Sequence, residues 1–131
     1  MSFPGPVVEA APEALAAAAA PAAAFRPRLA YVAHPFASDP EGNKARAAAV
    51  CREIMLARPG VVPVCPILAF SFLEEPRERE AALAYCLALL ERCDELWLAG
   101  EWELSEGCRL ERRRALELGM PVYRWPEDAE A

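Results

Sequence analysis

Four short apolar runs, separated by segments of helix length, constrain the fold of this chain more than any other feature. The runs are LAYVA at 29–33, VVPVCP at 61–66, ELWLAG at 95–100 and PVYRW at 121–125. Apolar runs of this length, bounded by turn residues, are typical of buried β-strands. Because helical segments alternate with them, the pattern predicts a parallel sheet connected by crossover helices.

The three segments between these runs space their apolar residues as helices do. We predict helices at residues 44–57, 78–92 and 105–118. The expected fold class is α/β, a flavodoxin-like three-layer sandwich around a four-stranded parallel sheet in the order 2-1-3-4. Pro63 lacks an amide donor, so the second strand is predicted at an edge. The third strand is apolar on both faces and is predicted to be central.

The beginning of the chain differs in composition from the rest, since Ala and Pro dominate it. Its Ala-rich run follows Glu9 and Glu13, where a signal peptide would carry basic residues. We predict a disordered leader at 1–27, one domain at 28–126 and an acidic tail at 127–131. No stretch reaches the roughly 18 apolar residues of a membrane span, so a cytoplasmic protein without a membrane partner is expected.

The net charge indicates the class of partner, and the cysteines indicate the cellular compartment. A net charge of -6 disfavours a nucleic-acid partner and favours a small molecule. The five cysteines form no CxxC pair and lie mostly in apolar runs, as buried thiols of a reducing cytosol do. The sequence has no phosphate-binding glycine motif and no zinc-ligand cluster, so we expect no cofactor and no metal.

The predicted topology indicates where a ligand would bind. In such sheets the crevice opens beyond the carboxyl ends of the strands, where the winding reverses. This rule selects the loops at 34–43, 66–77 and 100–107. Phe70 lies in the second loop, whose apolar and aromatic residues are candidates for one wall of the site.

The segment SEGCRLE, at the start of the last predicted helix, carries the main catalytic candidate. Ser105 is a natural N-cap, Glu106 complements the helix dipole, and Gly107 lets a ligand approach the free amides. Glu111 lies on the apolar face that should meet the sheet, where an unpaired charge is costly. Either it pairs with Arg114 at the rim of the core, or it lines the crevice as a nucleophile or a stabiliser of positive charge.

Further candidates for substrate binding surround the first predicted loop. His34 can donate to a phosphate, act as a general acid or merely cap the loop, and Phe36 can stack on a base. Asn43 is the predicted N-cap of the first helix, and Arg46 can reach a ligand or remain solvated. Tyr31 can also stack on a base, although core packing is favoured for it.

Several of these segments together resemble a known family. YVAHPF, DPEGN, VPVCP, CDELWLAG and SEGCRLERRRALELGMPVYRW, spread over residues 29–125, resemble the DUF4406 family of the nucleoside 2-deoxyribosyltransferase-like superfamily. The resemblance implies a nucleophilic glutamate at Glu111 and its associated glycine at Gly107. Ser105 takes the place of an aspartate, which suits a phosphate-bearing substrate. The resemblance also implies a homo-oligomer, for which Trp102 and Phe72 are predicted as exposed contacts.

These observations lead to one main hypothesis and two alternatives. The main hypothesis is an N-glycosidic bond hydrolase or transferase acting on a nucleoside or nucleotide. The alternatives are a non-catalytic module that binds a nucleotide-like metabolite, and a phage-associated protein with a structural or interaction role.

Overall fold

A four-stranded parallel sheet forms the centre of residues 27–127, the part of the chain that the computed structural model describes. The strands are β1 (Arg28–Ala33), β2 (Val61–Val64), β3 (Glu95–Ala99) and β4 (Val122–Trp125). The helices are α1 (Pro40–Ala57), α2 (Pro66–Ala69), α3 (Arg79–Leu90) and α4 (Glu106–Glu117), and a 3₁₀ turn spans Trp102–Leu104. The predicted leader, apart from its last residue, and most of the predicted tail lie outside the described residues.

The strand order is β2-β1-β3-β4 and all three pairings are parallel, which confirms the predicted fold class and topology. Ala30 pairs with Pro63 on one side and with Glu95 on the other. Strand β2 is therefore an edge strand, where the missing amide of Pro63 is tolerated. Every residue of β3 is buried, as expected of a strand covered on both faces.

Two apolar cores lie on opposite faces of the sheet. Because side chains alternate along a strand, β1 supplies Tyr31 and Ala33 to one core and Ala30 and Val32 to the other. Helices α3 and α4 cover the first core, and α1 covers the second. Tyr31 therefore faces α4, and this position determines the site described below.

Helix α1 begins four residues before its predicted start. Asp39, and not Asn43, is its N-cap, and the Asp39 carboxylate accepts a hydrogen bond from the Gly42 amide at 3.3 Å. Pro40 then occupies the first turn, where its missing amide is not needed. The prediction for Asn43 was wrong because the loop motif Asp-Pro supplies a stronger helix start upstream of it.

The other predicted helices and strands agree with the structure to within two residues at each end. The N-cap role of Ser105 is confirmed, since its hydroxyl accepts a hydrogen bond from the Cys108 amide at 3.2 Å. The segment predicted as a loop at 66–77 contains the short helix α2. Within the described range, every helix is too short or too polar to cross a lipid bilayer.

The cysteines and aromatic side chains correct and extend the sequence-based picture. All five cysteines are free thiols, and Cys65, Cys93 and Cys108 are buried. Phe72 is 69% exposed, as predicted. The expectation for Trp102 was wrong, because its ring is half-buried against the first core and both Arg112 and Arg124 lie over it. Homo-oligomerisation stays a prediction.

Candidate functional site

Two adjoining cavities open at the carboxyl edge of the sheet, beside the ends of β1, β2 and β3. The inner cavity has a volume of about 160 Å³ and is lined mainly by apolar side chains, among them Ile67, Phe70 and Leu83. The outer cavity has a volume of about 500 Å³ and a more polar lining. His34 and Ser105 line both, so the two cavities form one continuous crevice.

All nine residues predicted from the sequence as site residues line this crevice. Those around the inner cavity are His34, Phe36, Phe70, Ser105, Gly107 and Glu111. Those around the outer cavity are His34, Phe36, Asn43, Arg46, Ser105, Glu106 and Gly107. The three loops that follow β1, β2 and β3 bring them together, and their roles in binding and catalysis stay predictions.

Glu111 lies in the second turn of α4 and is only 8% exposed. The Tyr31 hydroxyl, projecting from β1, donates a hydrogen bond to its Oε2. Among residues 27–127, every side-chain nitrogen or oxygen that is fully enclosed has a hydrogen-bond partner. Glu111 Oε1 has no hydrogen-bond donor among those residues, so this oxygen is open to the inner cavity that Glu111 lines.

Burial raises the pKa of Glu111 to about 7, and the hydrogen bond from Tyr31 opposes this rise. The pKa of Tyr31 is itself raised well above its ordinary value, by burial and by the charge of Glu111. Tyr31 therefore remains a protonated donor at neutral pH. Glu111 populates both protonation states near neutrality, so it can act as a nucleophile, a base or an acid.

The alternative interpretation of Glu111, an ion pair with Arg114, was wrong. Arg114 Nη2 lies 2.9 Å from Glu91 Oε2, and its Nη1 lies 3.2 Å from Glu117 Oε1. Both contacts are on the outer surface of the α3 and α4 layer. The orientation of Glu111 is thus set by Tyr31 and not by a cation.

The first turn of α4 presents free backbone to the crevice. A β-carbon built onto Gly107 would meet a single side-chain atom within 4 Å, the Ser105 Oγ at 3.9 Å. The space beside Gly107 is therefore open, and the amides at this helix start can approach a ligand oxygen.

His34 follows β1 directly and is buried at the junction of the two cavities. Its Nδ1 lies 2.8 Å from the Pro35 carbonyl oxygen. Since a carbonyl can only accept, Nδ1 carries the proton in this contact. Gly100, with a φ of +64°, lies against the ring: a β-carbon there would be 3.0 Å from His34 Nε2.

Asn43 is 5% exposed and stabilises the loop between β1 and α1. Its amide nitrogen donates to the Phe36 carbonyl and to the Ser38 hydroxyl, both at 3.1 Å. Its amide oxygen accepts from Arg46, whose Nη2 also lies 2.9 Å from Asp39 Oδ2. Asn43 therefore holds the loop that carries Phe36 into the crevice.

Sequence reasoning missed several charged residues of the crevice. Lys44 and Glu75 line the inner cavity, Glu101 lines the outer cavity, and Arg79 lines both. Arg79 begins α3, whose start was predicted without any link to the site. Its place could have been predicted, because the segment at 66–77 leads directly into α3. Within residues 27–127, no three His, Cys, Asp or Glu side chains lie close enough together to hold a metal ion.

The fold and the crevice define a class: single parallel α/β domains with a crevice at the carboxyl edge that a buried carboxylate lines. The family described as a domain of unknown function (DUF7768) matches residues 28–125, and the chain belongs to this family. No curated protein matches the chain.

This family assignment corrects the resemblance drawn from the sequence. The matching family is DUF7768 and not DUF4406, and no finding supports membership of the nucleoside 2-deoxyribosyltransferase-like superfamily. The segments that carried the resemblance are strand ends, polar loops and a helix start with a small residue. Parallel α/β domains share such features for structural reasons, so they do not distinguish one family from another.

Proposed function

We propose that the protein cleaves or transfers the N-glycosidic bond of a nucleoside or nucleotide in this crevice. The observation that carries the proposal is the buried Glu111 carboxylate, which lines the inner cavity with one oxygen bound by Tyr31 and the other open. A buried, oriented carboxylate is suited to react with, or stabilise, an electron-deficient sugar carbon.

The chemistry requires Glu111 in its ionised form. As the bond between C1' and the base nitrogen breaks, its electron pair stays with the base, and positive charge develops on the sugar. The carboxylate then bonds to C1' or stabilises that charge, and water or a second base completes the reaction. Burial keeps the carboxylate away from bulk solvent, which strengthens its interaction with the charged sugar.

The shape of the crevice supports a two-part ligand. The inner cavity, with Ile67 and Phe70 in its apolar wall, is of a size for a ring system. The outer cavity, lined by Arg46 and the start of α4, offers polar contacts to the remainder of the molecule. A nucleoside combines these two parts, a flat apolar ring and a polar sugar.

The test is to incubate the full chain with deoxyribonucleosides, ribonucleosides and their monophosphates, and to follow free base by chromatography. We expect release with at least one substrate, and a loss of roughly 10³-fold in Glu111→Gln. Glu117→Gln is the matched control, because Glu117 ends the same helix and lies outside both crevice cavities. Equal release by wild type and Glu111→Gln would contradict the proposal.

The second candidate function is a non-catalytic module that binds a nucleotide-like metabolite. It is favoured by the apolar lining of the inner cavity, which suffices for binding without any reaction. A rise in Tm with a nucleoside, combined with no release of base from any substrate, would support the module over the enzyme.

A further inference from the structure

The cations of the crevice each have a carboxylate partner close by. Arg46 lies 2.9 Å from Asp39, and the Lys44 ammonium lies 3.8 Å from a Glu41 carboxylate oxygen. Arg79 lies 4.0 Å from Glu75, which also lines the inner cavity. Each of these positive charges therefore already has an acidic neighbour before any ligand enters.

Three carboxylates of the crevice have no oppositely charged neighbour in the described part of the chain. Glu101 and Glu106 line the outer cavity and Glu111 lines the inner one. Within the described part of the chain, none of the three has a basic side chain within 4.0 Å. Glu101 and Glu106 therefore contribute negative charge to the crevice, and Glu111 adds to it in its ionised form. This charge disfavours a phosphate as ligand.

Aromatic rings line the same space. Phe36 and Phe70 both line the inner cavity that contains Glu111. The Phe70 ring is held edge-on against Tyr85 and Phe72, with centroids 5.6 Å and 6.3 Å away. Aromatic rings beside a buried carboxylate form an environment that favours an organic cation.

We propose that this crevice selects N-glycosides whose base carries a permanent positive charge, such as pyridinium or N7-alkylated purine nucleosides, over neutral and phosphorylated ones. The inference rests on the proposed function and names its substrate class. When the bond between C1' and a cationic nitrogen breaks, the electron pair neutralises the base. The base then leaves as a neutral molecule, so the apolar wall needs no acid to protonate it. Glu111 bonds to C1', and water releases the sugar.

The test compares ligands of matched shape and different charge by calorimetry with the full chain. Nicotinamide riboside is cationic and its dihydro form is neutral. 7-Methylguanosine and guanosine form a second pair, and nicotinamide mononucleotide adds a phosphate. We expect the cationic nucleoside of each pair to bind at least about tenfold more tightly than its neutral partner, and the phosphate to weaken binding. This comparison uses wild-type protein, and free base is assayed in the same samples so that the heat of reaction is separated from the heat of binding.

Variants then locate the source of the selectivity. Glu111→Gln should reduce the preference for the cation to within about twofold, and Glu117→Gln should retain it. Equal affinity for the charged and neutral partners, or tighter binding of the phosphorylated ligand, would overturn the inference. Base release from neutral nucleosides at the same rate would overturn it while leaving the proposed function intact. A preference for cations that depends on Glu111, without any release of base, would support the ligand class. It would contradict the proposed N-glycosidase activity.

Discussion

The Tyr31 hydroxyl donates a hydrogen bond to the Glu111 carboxylate, although the two residues are 80 positions apart in the chain. Tyr31 is fully enclosed between β1 and the helical layer of α3 and α4. Its hydroxyl fixes one oxygen of Glu111 and leaves the other open to the inner cavity. This contact links β1, one of the two interior strands, to the candidate reaction site.

Removal of the Tyr31 hydroxyl should change the pH dependence of any reaction at Glu111. In Tyr31→Phe the carboxylate loses the hydrogen bond that opposes its raised pKa, so the pKa should rise further. We expect the rise of kcat with pH to move to higher pH, because Glu111 must be ionised to react. A pH–rate profile measures this shift, and a profile identical to wild type would show that Tyr31 does not position Glu111.

Glu111→Gln should stabilise the fold above neutral pH. The folded-state pKa of about 7 exceeds the ordinary value near 4.5, so unfolding releases a proton between these pH values. The contribution of Glu111 to stability is therefore complete below pH 4.5 and is lost as the pH rises through 7. We expect the variant and wild type to be equally stable at pH 4, and the variant to be more stable by about 3 kcal/mol at pH 8.

Urea unfolding of both proteins across this pH range measures the difference. Cys86 and Cys108 lie near Glu111, but burial raises their pKa values to about 11 and about 12, so neither titrates in the range. A difference in stability that does not change with pH would contradict the assignment of the raised pKa to Glu111.

Gly107→Ala should separate stability from ligand binding. Alanine is a better helix former than glycine by up to about 1 kcal/mol, and the added methyl group meets open space. We therefore expect the Tm to be unchanged or higher, while the affinity for a nucleoside that stabilises wild type falls about tenfold.

Ser105→Ala should instead lower the stability by about 1 kcal/mol, because it removes the N-cap.

Gly100→Ala should destabilise the protein and displace His34. The φ of +64° strains any other residue, and the new methyl group would lie 3.0 Å from the imidazole. Gly119→Ala is the matched control, since its φ is +71° and no atom lies within 4 Å of a β-carbon there. We expect a cost of about 1–2 kcal/mol at Gly119 from backbone strain alone, and a larger cost at Gly100. Chemical denaturation compares the two, and equal costs would show that the contact with His34 is unimportant.

The sequence predicted most of the architecture because its signals are local. Apolar runs predicted the strands, helical spacing predicted the helices, and the alternation of the two predicted a parallel sheet. The order 2-1-3-4 was a separate prediction, which the structure confirms. Ser105 was recognised as an N-cap for the same reason, since the motif and its hydrogen bond lie within one turn. The start of α1 was misplaced because two competing caps, Asp39 and Asn43, lie close together.

The composition of the site was predicted only in part. The topology rule identified the loops at the carboxyl edge, and thereby His34 and Phe70. Glu111 was identified by its place on the apolar face of the last helix. Arg79 was missed, because its place beside the crevice depends on how α3 packs against the segment that follows β2. Family membership was misjudged because strand ends and helix starts of this kind recur in many unrelated α/β domains.

The sequence by itself determined that a carboxylate stands on the inward face of the last helix. The tertiary structure alone decided its partner, its protonation and its access to a cavity. Side-chain periodicity reveals which way Glu111 faces, but the residue it meets depends on the register of β1 against α4 across 80 residues. Burial in that contact raises the carboxylate pKa, and burial is a property of packing that no local pattern contains.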